Sequence, residues 1–146
     1  MSIRDRATET QRSGTAWAAR ALLPANERAP LVARRLVSTL LVAWGCADQV
    51  ELTELVTSEL VSNSVRYAAD AGDIELELLV DTEVIQLSVA DGSPEHPVLR
   101  SDPNGERRGL GLHLVERVAI RWGVEEYLLG KRVWLELPAR LNGSSE

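Results

Sequence analysis

Phenylalanine is absent from this 146-residue chain, aromatic side chains make up only 4%, and cysteine and lysine occur once each, as Cys46 and Lys131. Each shortage removes a class of chemistry. A lone cysteine forms no intrachain disulfide, and with only His96 and His113 beside it a zinc site has too few soft ligands. The single lysine lies in no G-x-x-x-x-G-K-[ST] segment, so a phosphate-binding loop of that type is ruled out. Scarce aromatics leave little to stack nucleobases on. Positive charge is also in deficit: the formal net charge is -6 and the pI is near 5.0, against the counterion release that a nucleic-acid backbone binder needs. No apolar run approaches the roughly 18 residues of a membrane span, and the opening MSIRDRATETQRSG is polar and charged. These absences predict a cytoplasmic protein in a reducing compartment, with no direct nucleic-acid or membrane partner.

What remains is ordinary globular composition, 45% hydrophobic and 26% charged, in a length that suits one core. Residues 1 to about 14 read as a flexible arm, 15–138 as the domain, and 139–146 as a polar tail. Thr15 to Leu23 fits an edge strand or a short helix equally well. From Pro30, the residues Leu31, Val32, Leu36, Leu40, Leu41 and Trp44 recur at helical spacing up to Gly45. Asp48 can cap a second helix reaching about Ala69, closed by Asp70 and Gly72, with Leu52, Leu55, Val56 and Leu60 as its apolar stripe.

Alternation predicts strands over 74–80 and 85–89, turning at Asp81 and Thr82. Residues 91–108 carry three prolines, two glycines and no period, which reads as a long functional loop. Gly109 to Ile120 reads as a helix, and 122–128 and 132–137 read as strands joined near Gly130 and Lys131. Helices early and strands late suggest an α+β two-layer sandwich, with helices on one face of a mostly antiparallel, mixed sheet.

Three segments carry chemistry. On a helical wheel Glu59 and Asn63, four residues apart, fall inside the apolar stripe, where a carboxylate and a carboxamide need partners. An asparagine oxygen near a carboxylate suits Mg²⁺, a hard cation that keeps waters while bridging phosphates; a purely structural network with Ser58, Ser62 and Ser64 is the alternative. Asp91, at a strand end, can accept a hydrogen bond from an exocyclic amine, or else simply make a D-G turn. Gly109-Leu110-Gly111-Leu112 opens a helix, where free N–H groups and the dipole favour phosphate. It fails as a dinucleotide fingerprint, having no third glycine and no preceding strand.

In this order the segments resemble the gyrase, heat-shock-chaperone, histidine-kinase and mismatch-repair ATPase superfamily, over about Thr15 to Leu137. Nearest in appearance is its small bacterial branch of anti-sigma-factor serine kinases. ELVSNSVRYA resembles the helical asparagine motif, which implies Asn63 as Mg²⁺ ligand and Glu59 as general base. SVADGSP resembles the adenine motif, which implies that Asp91 reads the adenine amine, with Ser93 where glycine is common. GLGLHLV resembles the second glycine motif, implying that Gly109, Leu110, Gly111 and Leu112 meet the phosphates at a lid hinge. GKRVWLEL resembles the terminal strand, with Arg132 where a threonine often assists adenine contact.

The resemblance implies a Bergerat-type fold, ATP and Mg²⁺ as cofactors, a sigma factor and its anti-sigma-factor antagonist as partners, and homodimerisation. It implies serine/threonine protein kinase activity, with a non-catalytic ATP/ADP-binding adaptor as the alternative. If residues 91–108 form a lid over nucleotide, limited proteolysis within them should slow in Mg-ATP. Equal nicking with and without Mg-ATP would count against a lid.

Overall fold

The computed structural model describes residues 8–68, 72–93 and 110–140. Six strands, β1 (Thr8–Ser13), β2 (Ala16–Leu23), β3 (Ile74–Val80), β4 (Val84–Asp91), β5 (Arg121–Tyr127) and β6 (Gly130–Pro138), form one sheet in the order β1-β2-β3-β4-β6-β5. Every pairing is antiparallel, so the sheet is not mixed. Among the described residues three α-helices, α1 (Ala29–Ala43), α2 (Val50–Ala68) and α3 (Leu110–Val118), accompany the sheet in an α+β fold.

Period-two alternation decides the layers. Ile74, Leu76, Leu78 and Val80 of β3, Ile85, Leu87 and Val89 of β4, and Val133, Leu135 and Leu137 of β6 meet in register on the inner face. Ala33, Val37 and Leu41 of α1, Val56, Leu60 and Val61 of α2, and Leu112 and Val115 of α3 join the same core. The outer face carries the ion pairs Arg20–Glu75 at 3.0 Å, Arg121–Glu136 at 2.9 Å and Arg132–Glu125 at 3.6 Å.

Several local signals work as the sequence suggests. Pro30 lies in the first turn of α1, and Gly45, at φ 84°, ends it by a left-handed turn in which the Cys46 amide donates to the Leu41 carbonyl at 2.7 Å. Asp81 accepts hydrogen bonds from the amides of Glu83 and Val84 at 2.7 and 2.8 Å, which close the β3–β4 turn. The same two amides hold the Asp81 carboxyl below the usual carboxylate range.

Other expectations are corrected. The arm becomes, from Thr8, an edge strand paired with β2, and Thr15 to Leu23 becomes the next strand inward. The alternating side chains of TETQRS are polar on both faces, so an exposed edge strand leaves no hydrophobic trace to read. Asp48 sits within a short 3-10 turn, Ala47–Gln49, that precedes α2. The face of α2 against the sheet is rotated from the expected stripe: Leu55 is half exposed, while Thr53, Val56, Thr57, Val61 and Ser64 are buried. Thr53 Oγ1 donates to the Gln49 carbonyl at 2.7 Å, and Gln49 Nε2 donates to the Pro138 carbonyl at 2.7 Å, fastening the start of α2 to the end of β6. In the tail, Ala139 is buried against the core. Asp70 and most of the expected lid, residues 94–109 with Gly109, lie outside the described residues.

At the start of β6, Gly130 runs so close to β4 that a Cβ there would overlap the Asp91 carbonyl oxygen and come within 2.7 Å of the Gly92 backbone. Backbone cannot swing aside as a flexible side chain can. Gly130→Ala should therefore lower unfolding free energy by about 1–3 kcal/mol, the usual cost of overpacking, measured by denaturant titration. An unchanged midpoint would show that the two strands separate freely there.

Candidate nucleotide site

β4 lies between β3 and β6, and its inward row runs Ile85, Leu87, Val89, Asp91. The last member puts a carboxylate where the others put hydrocarbon. Its cross-strand neighbour is Lys131, and the two side chains are 2% and 5% exposed. Lys131 Nζ donates to both Asp91 oxygens, at 2.9 Å to Oδ1 and 3.1 Å to Oδ2, and reaches the Ser93 carbonyl at 3.4 Å. Ser64 Oγ, descending from α2, donates to Oδ2 at 2.7 Å, and the Ser93 amide donates to Oδ1 at 3.0 Å. Asp91 therefore accepts four hydrogen bonds, about the full capacity of an ionised carboxylate. Burying both charges is costly, and the geometry offsets this with close, complete pairing.

A cavity of about 20 Å³ adjoins the pair, lined by Leu60, Asn63, Ser64, Val89, Asp91, Leu112, Lys131 and Val133. That is room for little more than one water, whereas small-molecule pockets run to about 300–1,000 Å³. A cavity of about 340 Å³, lined by Trp17, Gln86 and Glu136 among others, lies towards the outer face and includes none of Asn63, Asp91 and Leu112. The small one matters because the motif residues converge on it.

Asn63 is buried, with its Nδ2 atom lacking a hydrogen-bond partner. A buried carboxamide with unspent hydrogen-bonding capacity is available to a ligand. Glu59, one turn earlier on α2, is only partly buried and does not line the cavity, so it is not inside the packed stripe. Leu112 covers the cavity from the first turn of α3, which Leu110 and Gly111 open. Three of the expected residues, Asn63, Asp91 and Leu112, thus meet at one place. Ser93 joins through its backbone, and its side chain does not line the cavity.

Among the described residues no cluster of three or more His, Cys, Asp or Glu could hold a metal. That fits Mg²⁺ only if Asn63 supplies one oxygen and phosphates and waters supply the rest, the usual division for this ion.

Two participants were not anticipated. Ser64 was weighed only as part of a structural network, and Lys131 only as a turn residue. The parity of GKRVWLEL contains the second: Lys131 shares a face with Val133, Leu135 and Leu137. Arg132 accordingly points to the outer face, stacked 3.9 Å over the Tyr127 ring and paired with Glu125, so it does not face Asp91.

An antiparallel sheet under helices, with an aspartate closing an inner strand beside an asparagine-bearing helix, is the arrangement that the resemblance to the histidine-kinase and gyrase ATPases implies. Residues 47–141, about two thirds of the chain, match the family described as histidine kinase-, DNA gyrase B-, and HSP90-like ATPase. The chain belongs to this family, and ATP is the nucleotide that membership implies. No curated protein matches the chain.

Removing one member of a buried ion pair leaves an uncompensated charge. Asp91→Asn should cost about 3–5 kcal/mol of stability, and adding Lys131→Met should restore a large part of it. Simply additive losses in denaturant titrations would mean that the pair is not coupled.

Proposed function

We propose that this ATP-binding domain is a serine/threonine protein kinase that binds a sigma factor and phosphorylates the antagonist controlling that binding. The observation that carries the reading is the arrangement on α2: Asn63 is buried with unspent hydrogen-bonding capacity at the cavity, while Glu59, one turn away, remains partly exposed. A base for an incoming protein hydroxyl has to be reachable from solvent, and a residue that positions the nucleotide does not.

In this reading Asp91 accepts the adenine amine, the backbone at Gly109 to Leu112 meets the phosphates, and Asn63 offers its oxygen to Mg²⁺. Mg-ATP, when bound, supplies the transferable γ-phosphoryl group and neutralises charge on it. Glu59 orients the substrate serine and takes its proton as the serine oxygen bonds to phosphorus and ADP leaves. Phosphoryl transfer asks mainly for positioning and charge stabilisation, so few protein groups are required. An acidic, cytoplasmic protein acting as a homodimer is consistent with such a role.

A second reading, a non-catalytic adaptor that switches partners with ATP and ADP, is favoured by one observation. Lys131 takes two of the four hydrogen bonds that fill Asp91, and the cavity beside the pair is about 20 Å³, so binding entails rearrangement whether or not transfer follows.

Glu59→Gln separates the two. It keeps size and hydrogen bonding but cannot accept the proton. ATP affinity by calorimetry should be unchanged, while radiolabel transfer from ATP to a serine of a copurifying protein should fall about 10²- to 10⁴-fold, the contribution of a positioned base. Undiminished transfer would make Glu59 structural, and a parent protein that labels no partner would replace the kinase with the adaptor.

A further inference from the structure

Lys131 stands directly opposite a carboxylate on each side. Across β4–β6 its partner in register is Asp91, and across β5–β6 it is Glu126. Directly opposed residues of antiparallel strands point their side chains to the same face, with Cβ atoms about 4.5–5.5 Å apart. Acid, base and acid thus form one row at the end of the inner face. The row is graded: Asp91 is buried, whereas Glu126 is exposed on the edge strand. A lysine side chain is long and freely rotating, and its ammonium is content at a solvated carboxylate.

We propose that Lys131 sets the affinity of the nucleotide site by competing with the adenine amine for Asp91, and that nucleotide binding moves its ammonium from Asp91 to Glu126. The inference rests on the reading of Asp91 as the adenine acceptor. All four hydrogen bonds to Asp91 are in use, two of them from Nζ, so another N–H donor can reach the carboxylate only by displacing one. The Ser93 amide is fixed by the backbone and Ser64 has one short side-chain rotor on a helix, whereas the Lys131 ammonium sits on a flexible four-carbon stem and is the most mobile donor. Its departure also removes the group that fills the pocket beside a cavity of about 20 Å³. Glu126 keeps the departing charge paired, so the exchange does not strand an ammonium among apolar side chains.

Because Lys131 is the only lysine, its acylation needs to be told apart only from that of the chain's α-amine. The intact chain is treated briefly with an amine-acylating reagent, with and without saturating Mg-ATP, and modification of Lys131 is followed by mass spectrometry. Calorimetry on the parent, Lys131→Met, Glu126→Gln and Asp91→Asn proteins accompanies it. Acylation of Lys131 should accelerate in Mg-ATP. Lys131→Met should bind ATP about tenfold more tightly, the scale of one hydrogen bond to a charged group, and Glu126→Gln should bind it more weakly. A further readout is the amine itself: Lys131→Met should gain preference for ATP over purine riboside triphosphate, which lacks the exocyclic amine.

Unchanged acylation in protein that calorimetry shows to be saturated overturns the proposal, and so does a Lys131→Met protein that binds ATP no more tightly than the parent. In either case ATP binding that is lost in an Asp91→Asn protein shown by circular dichroism to be folded leaves the adenine reading intact. ATP binding indifferent to Asp91→Asn, or absent from both the parent and Lys131→Met, overturns the adenine reading and the competition together.

Discussion

A strand hydrogen-bonded on both sides and roofed by a helix must bury every side chain that it turns inward, and β4 is such a strand. Ile85, Leu87 and Val89 satisfy the requirement with hydrocarbon from β3, β6 and α2. Asp91 satisfies it with charge and hydrogen bonds. The same constraint gathers the functional groups, because a carboxylate at that place draws in whatever can neutralise it. Lys131 comes from β6, Ser64 from α2, and the chain itself folds back to present the Ser93 amide. The site is therefore a product of sheet topology as much as of motif: without β6 inserted between β4 and β5, no ammonium would reach the aspartate.

Much of this was legible from residue order. Alternation located β3 and β4 closely, since β3 along its length and β4 over its first half bury one face more deeply than the other, and Gly45 and Asp81 marked their turns. Asn63 and Asp91 could be named because polar residues at inward positions of periodic segments stand out. What escaped has a physical reason in each case. The edge strand β1 has no buried face, so TETQRS looks like disordered chain. The stripe on α2 differs at Leu55 because threonines take inward positions: Thr53 does so by donating to the Gln49 carbonyl, whereas Thr57 is buried with its hydroxyl unpartnered.

Arg132 stands out through its place in the terminal-strand motif, and Lys131 reads as a turn residue, until strand parity is applied to both. In a strand whose inward row is Val133, Leu135 and Leu137, position 131 has to point inward whatever its residue, and position 132 outward. Arg132 then finds Glu125 and the face of Tyr127 on the edge strand, a surface arrangement that closes one side of the β5–β6 hairpin. Pairing in register, which the linear sequence does not state, decides which of two adjacent cations belongs to the site.

The hydrogen bond from Gln49 Nε2 to the Pro138 carbonyl, 2.7 Å long, joins α2 to β6 at the ends remote from the cavity. Those two elements are the walls that carry Asn63 and Ser64 on one side and Lys131 and Val133 on the other. Fourteen residues of helix separate Gln49 from Asn63, a lever of about 21 Å at 1.5 Å per residue. Anchored at that far end, α2 needs to pivot only about 5° to carry Asn63 about 2 Å from β6. The packing around the anchor scarcely shifts under such a rotation. A small rotation at the anchor is thus a much larger displacement at the wall that carries Asn63.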